Sequence, residues 1–267
     1  MQKGMIINML SLQMYTLRHS MKTREDLDNT LRRVAEMGYD SVQITPPAFL
    51  TIEEMAAMLK KYNLRADSAI CTLYDIPDKL DEIVHKAEVL GTDVLRTDSI
   101  RKPDRLDRDG YLRAAAHLEK CGAALKARGL QFMYHFHSFE FVKIGEQRGI
   151  DIILENTSPE HVLIQPDIFW LTAAGTEPST ELRKFAGRAR YMHLKDYVIV
   201  PADLEKIEQT MRASAPVGTG NLNLAAILAT AREMGIENFV AEDDMGVLDP
   251  FESAAQSLVN MKKLGFG

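Results

Sequence analysis

The chain has 267 residues, 46% of them hydrophobic and 26% charged, with a net charge of −6. That is enough to bury a large core and is normal for an α/β barrel, which typically needs ~250 residues. An acidic balance excludes a broad basic face for nucleic acid, and no run approaches the ~20 apolar residues of a membrane span.

Met1-Gln-Lys-Gly-Met-Ile-Ile-Asn-Met-Leu10 reads as a first strand rather than a signal peptide, since polar Gln13 and Arg18 follow without a small-residue cleavage site. A short β-like run followed by an amphipathic stretch then recurs eight times. The strands are expected at 6–14, 40–44, 66–71, 93–97, 131–136, 161–166, 189–194 and 238–242. Helices are expected at 24–37, 52–62, 76–90, 107–128, 147–155, 178–187, 222–235 and 250–264. In the first helix Leu27, Leu31, Val34 and Met37 recur at helical spacing. Thr23-Arg-Glu-Asp26 and Thr51-Ile-Glu-Glu54 have capping-box form. Gly38, Gly91, Gly129 and Gly235 each stand between a helix and a strand, where a left-handed residue ends a helix.

Helix, glycine and strand in repetition describe parallel strands joined by crossover helices. Eight units favour a closed (β/α)8 TIM barrel over an open sheet. No G-x-G-x-x-G follows an early strand, which argues against a dinucleotide fold. No Pro/Gly/Ser-rich linker divides the chain, so residues 1–267 read as a single barrel domain. The connection 196–220 lacks clear strand character, is expected over the barrel mouth, and is read with a short helix at Leu204–Met211. Cys71 and Cys121 form no disulfide or metal motif and are expected as reduced thiols in a cytoplasmic protein.

Four strand candidates in the second half each end in a metal-ligating residue type: Glu140, Asp167, His193 and Glu242. Parallel barrel strands aim their C-terminal ends at one point, so these predict a divalent metal site. Three carboxylates and one imidazole suit Mn²⁺ first, with Mg²⁺, Co²⁺ or Zn²⁺ also compatible. Each has a plainer reading: Asp167 could cap a helix, His193 could be a core histidine, and Glu242 could begin a solvated acidic loop. Their company favours ligation. A cation gripping a carbonyl and its neighbouring hydroxyl acidifies the proton between them and stabilises an enediolate. Candidate proton-transfer and catalytic residues are His135, Glu140, Glu242 and Lys195. His135 and His137, two apart, would face the same side of a strand. His137, Gln13, Tyr15, Arg96 and Trp170 are the candidates for substrate contact. Lys195 and Asp196 are expected at the rim.

The stretches Leu12-Gln-Met-Tyr-Thr-Leu-Arg18, Tyr134-His-Phe-His-Ser-Phe-Glu-Phe141, Gln165-Pro-Asp-Ile-Phe-Trp170, His193-Leu-Lys-Asp196, Val217-Gly-Thr-Gly220 and Val240-Ala-Glu-Asp-Asp244 together resemble the xylose isomerase-like barrel superfamily, the sugar phosphate isomerase/epimerase group. The resemblance implies a (β/α)8 barrel, a divalent metal held by Glu, Asp, His and Glu, and a small sugar substrate. Members with this fifth-strand motif usually read Tyr-His-Asn-His; here Phe136 replaces the asparagine. Ketose epimerases carry their first glutamate on the strand, where His135 falls, so His135 and Glu140 compete for the first position.

The expected activity is metal-dependent isomerisation or epimerisation of a sugar or keto-sugar. The subgroup with paired histidines resembles enzymes of keto-glycosides, which makes 3-keto-glycoside lyase or hydratase chemistry the alternative. An apurinic-site endonuclease would need more histidines and a basic rim, and a non-catalytic sugar-binding barrel would need no cation. Such barrels commonly pair, so a homo-oligomer is an expectation that no stretch of the sequence specifies.

Overall fold

The computed structural model describes residues 9–202, 210–246 and 248–266. Eight parallel strands follow one another around a barrel: β1 (Met9–Gln13), β2 (Ser41–Ile44), β3 (Arg65–Ile70), β4 (Val94–Thr97), β5 (Gln131–His135), β6 (Leu163–Gln165), β7 (Tyr191–Leu194) and β8 (Asn238–Ala241). β1 pairs with both β2 and β8. Between β6 and β7 the ladder narrows to parallel bridges at Ile164–Ala189 and Asp167–His193. The Ile164 N–H donates to Arg188 O at 2.7 Å and the His193 N–H to Pro166 O at 2.8 Å, closing the ring.

The outer layer is α1 (Arg24–Met37), α2 (Ile52–Lys61), α3 (Leu80–Leu90), α4 (Arg108–Lys126), α5 (Gly149–Glu155), α6 (Ile168–Ala173), α7 (Pro178–Glu181), α8 (Leu224–Glu233) and α9 (Pro250–Leu264). Both expected capping boxes form: Thr23 and Asp26 bond reciprocally at the start of α1, Thr51 and Glu54 at the start of α2. Gly38 and Gly91 end α1 and α3 at φ 95° and 70°, a conformation costly for any residue with a Cβ. Leu27, Leu31 and Val34 are fully buried on one stripe of α1. Both cysteines are free and buried.

Inside the barrel Val94, Met133 and Tyr191 form an apolar plug, with Leu163 packed against it. Strand side chains alternate, so Arg96, His135, Gln165 and His193, each two residues further on, stand one layer above this plug. The plug is therefore the floor of whatever the upper layer builds.

Four expectations change. The strand expected over 6–14 is described only from Met9 and ends at Gln13, because Met14 opens a 3-10 turn, Met14–Ser20; residues 6–8 lie outside the described part. The helix expected at 76–90 begins at Leu80, after a 3-10 turn at Leu73–Asp75. The helix at 178–187 is a four-residue α-turn followed by 3-10 residues Leu182–Phe185. Most consequentially, the connection after β7 is an antiparallel hairpin, Asp196–Pro201 against Thr210–Ala215. Of the short helix expected at Leu204–Met211, residues 204–209 lie outside the described part, and Thr210 and Met211 belong to the hairpin. Among the described residues no helix is long and apolar enough to cross a membrane.

Candidate metal centre

β5 ends on His135, β7 carries His193 in its third position, and β6 runs through Gln165 and Pro166 into Asp167. Asp167 both caps and converges. Its Oδ1 accepts from the Phe169 and Trp170 N–H groups at 2.8 and 3.1 Å, satisfying the free amides of α6. Its Oδ2 is left over and lies 3.7 Å from His193 Nδ1. Glu242, directly after β8, brings Oε2 to 3.0 Å from the same Nδ1. One ligand atom each from His135, Asp167 and His193 fall within 4.8 Å of one another, and all three residues are buried. The His135 and His193 rings are 4.4 Å apart between centroids.

Asp167 Oδ2, His135 Nδ1 and His193 Nδ1 are buried without an aligned hydrogen-bond partner. Each such atom costs about 1–3 kcal/mol if nothing binds it. The three residues also bring one ligand atom each within 4.8 Å of the others, with no thiolate among them, which fits a divalent cation of oxygen and nitrogen preference.

The charges are arranged around that point. Burial pulls His193 down, but the Asp167 and Glu242 carboxylates beside it outweigh that and the imidazole is pushed up to about 9. Burial raises Glu242, yet the His193 contact and charge, with Lys195 behind it, take it down to about 2. His135 lies well below the usual histidine range because of burial and then the neighbouring His193 charge, so it is a neutral donor.

Lys195, expected at the rim, is instead fully buried. Its Nζ is 2.5 Å from Asp244 Oδ1 and 5.0 and 5.1 Å from the Phe169 and Trp170 rings. Burial opposes its charge, but Glu242, Asp167 and Asp244 raise its pKa overall. Asp196 is buried too, and its carboxylate accepts from the backbone N–H groups of Tyr197, Gly218, Gly220 and Leu222 at 2.9–3.2 Å. It anchors the hairpin instead of lining the rim.

Glu140 stands outside the cluster of His135, Asp167 and His193. It lies in the 3-10 turn Phe139–Phe141, five residues past the end of β5. Its oxygens accept from the Tyr134 hydroxyl and from the His137 N–H. Burial outweighs those bonds and pushes its pKa up to about 8. His135, at the end of β5, is the residue of that segment that meets Asp167 and His193.

The other expected residues divide. His137 sits beside His135, 4.9 Å between ring centroids, and 5.2 Å from Trp170. Arg96 is buried with its guanidinium on Asp98. Gln13, at the end of β1, lines a cavity of about 160 Å³ with Tyr15, Arg18 and Thr45. Tyr15 is 54% exposed, under the Arg18 guanidinium, so it stands at the outer wall. Two buried glutamines escaped the sequence reading. Gln43 Oε1 lies 2.7 Å from His193 Nε2, and Gln165 keeps both amide atoms unpartnered. Their only sequence signal is a polar residue near the end of an apolar strand.

Residues 31–258 match the family model described as the xylose isomerase-like TIM barrel. The chain belongs to that family. It is 28% identical over 167 residues to an inosose dehydratase of Lacticaseibacillus casei, covering 58% of this chain and 55% of that protein. It thus spans about half the length of such relatives. A sugar phosphate isomerase/epimerase from Parabacteroides distasonis superposes with a TM-score of 0.76 at 21% identity, over 99% of this chain and 97% of that one. A xylose isomerase-like TIM-barrel protein from Mycobacterium smegmatis, solved in complex with magnesium, superposes with a TM-score of 0.70 at 18% identity, over 96% of each chain. At these identities the two structures speak for the fold.

Proposed function

We propose that this protein is a divalent-cation-dependent enzyme that abstracts the proton next to the carbonyl of a keto-sugar or keto-polyol. The observation that carries this is the convergence of one buried ligand atom each from His135, Asp167 and His193, residues that also hold buried polar atoms without partners. Glu242 completes the set through its contact with His193. A cation held there would bind adjacent substrate oxygens and acidify the intervening C–H.

The chain's own residues supply the rest. His137 Nδ1 is buried without a partner, two residues past the end of β5, and is the group assigned to take the proton. Burial pulls the His137 pKa down against the pull of nearby carboxylates, which keeps the ring neutral and able to accept. Lys195, positive and buried, steadies negative charge developing on the substrate oxygens. Gln43 Nε2, Gln165 and Arg96 Nε are buried polar groups with bonds to spare, as a hydroxyl-rich substrate requires. Trp170, beside His137 and Lys195, offers an apolar face to a sugar ring.

Proton abstraction leads either to return of the proton, which isomerises or epimerises, or to loss of a β-hydroxyl, which dehydrates. The similarity to inosose dehydratases favours dehydration as the second reading. Incubation with Mn²⁺ and a panel of keto-polyols and keto-sugars in D₂O tests both. Deuterium is expected at the carbon beside the carbonyl, with an unsaturated product in the dehydration case. Absence of exchange and of water loss across the panel would overturn the proposal.

A further inference from the structure

Gln43 is fully buried in β2, and 150 residues separate it from the histidine it touches. The identity of each atom in that contact can be worked out from a distant backbone amide. The Tyr15 N–H can only donate, and it faces Gln13 Oε1 at 3.3 Å. That fixes the Gln13 amide, so its Nε2 is the donor facing Gln43 at 3.3 Å and the Gln43 atom there is the oxygen. The same Gln43 Oε1 lies 2.7 Å from His193 Nε2. An amide oxygen only accepts, so His193 Nε2 carries a proton. Its other nitrogen, Nδ1, faces Glu242 and Asp167.

We propose that Gln43 is a positioning residue, braced by Gln13, that holds His193 in its Nε2–H form and so presents the Nδ1 lone pair to the cation. The inference rests on the cation-site reading above. A ring free to rotate or to shift its proton would spend part of its time with N–H facing the metal. Partners of this kind on a ligating histidine typically change metal affinity by about 10–100-fold.

The test uses the full chain loaded with Zn²⁺, which is diamagnetic, and ¹⁵N-labelled histidine. His193 is assigned by the signal lost in His193→Ala. Long-range ¹H–¹⁵N spectra of the wild type should show His193 bound through Nδ1 with a slowly exchanging proton on Nε2. Gln43→Met keeps the length but removes the acceptor; its Zn²⁺ affinity should fall by about 10–100-fold and the Nε2–H signal should exchange rapidly. Gln43→Glu keeps an acceptor and should stay within about threefold of wild type; a merely space-filling role would leave Gln43→Met, of the same length, equally close to wild type. Zinc bound through Nε2 in the wild type would overturn the inference even if no variant folded. So would Gln43→Met matching wild type in both affinity and spectrum. Wild type that takes up no zinc at all would remove the cation-site reading itself, and this inference with it; normal uptake through the wrong nitrogen removes only the inference.

Discussion

Asp167 divides its carboxylate between two duties, and the division can be tested. Oδ1 caps α6 and Oδ2 faces His193. Asparagine caps as well as aspartate. Asp167→Asn should therefore leave thermal stability within about 1 kcal/mol of wild type while cation affinity falls at least 100-fold, whereas Asp167→Ala should lose about 1 kcal/mol more through the missing cap. Equal metal affinity in wild type and Asp167→Asn, by calorimetric titration, would contradict the ligand role. Glu140 offers a second test. Its pKa is raised from 4.5 to about 8, so the folded state holds this proton more tightly than the unfolded state does. The folded protein is then stabilised most below pH ~4.5, and that contribution is lost as pH rises towards ~8. Glu140→Gln has no proton to lose, so the melting temperature of the variant minus that of wild type should climb between pH 5 and 8; a flat difference would count against a buried neutral acid. That Asp167 and His193 would meet was legible because their residue types close apolar strands. That Glu140 bonds to Tyr134 and to the His137 N–H was not legible, because a carboxylate five residues past His135 satisfies the same pattern wherever the 3-10 turn sends it. Gln43 could not be found, since a glutamine announces no chemistry and its partner lies across the barrel.

The hairpin after β7 is the element the sequence conceals most. Val198, Ile199 and Val200 are β-branched, but Pro201 and the polar residues beyond it break the alternation that marks a strand. Its base is held by Asp196, whose carboxylate gathers four backbone N–H groups. Gly220 is required there: a Cβ would stand 2.3 Å from Tyr197 O and 2.4 Å from Asp196 Oδ1. We propose that this hairpin serves as the lid expected of the 196–220 connection. Gly220→Ala should destabilise the protein by about 1–3 kcal/mol and speed amide exchange across Thr210–Ala215. Exchange unchanged in those strands would show that the Asp196 anchor is dispensable. Helix starts were easier to read than this loop, because the capping boxes of α1 and α2 are local and need no partner from elsewhere in the chain.

At the scale of the whole molecule, closure of the barrel is what makes the site. β5, β6, β7 and β8 supply the candidate ligands, while β2, on the far side of β8, supplies Gln43, which reaches His193, and β1 supplies Gln13, which braces Gln43. Eightfold repetition of strand and helix made this architecture readable, and the apolar plug of Val94, Met133 and Tyr191 sets the depth at which the polar layer sits. What repetition could not give is which of two acidic or basic groups turns inward at each strand end, since that depends on single backbone torsions beyond the strand. The most direct measurement is an anomalous difference map at the manganese absorption edge from crystals grown with Mn²⁺. One strong peak is predicted within about 2.0–2.4 Å of His135, Asp167 Oδ2, His193 Nδ1 and Glu242, with Glu140 outside the coordination sphere. A peak at Glu140, or none at the ends of β5 to β8 under saturating manganese, would contradict it.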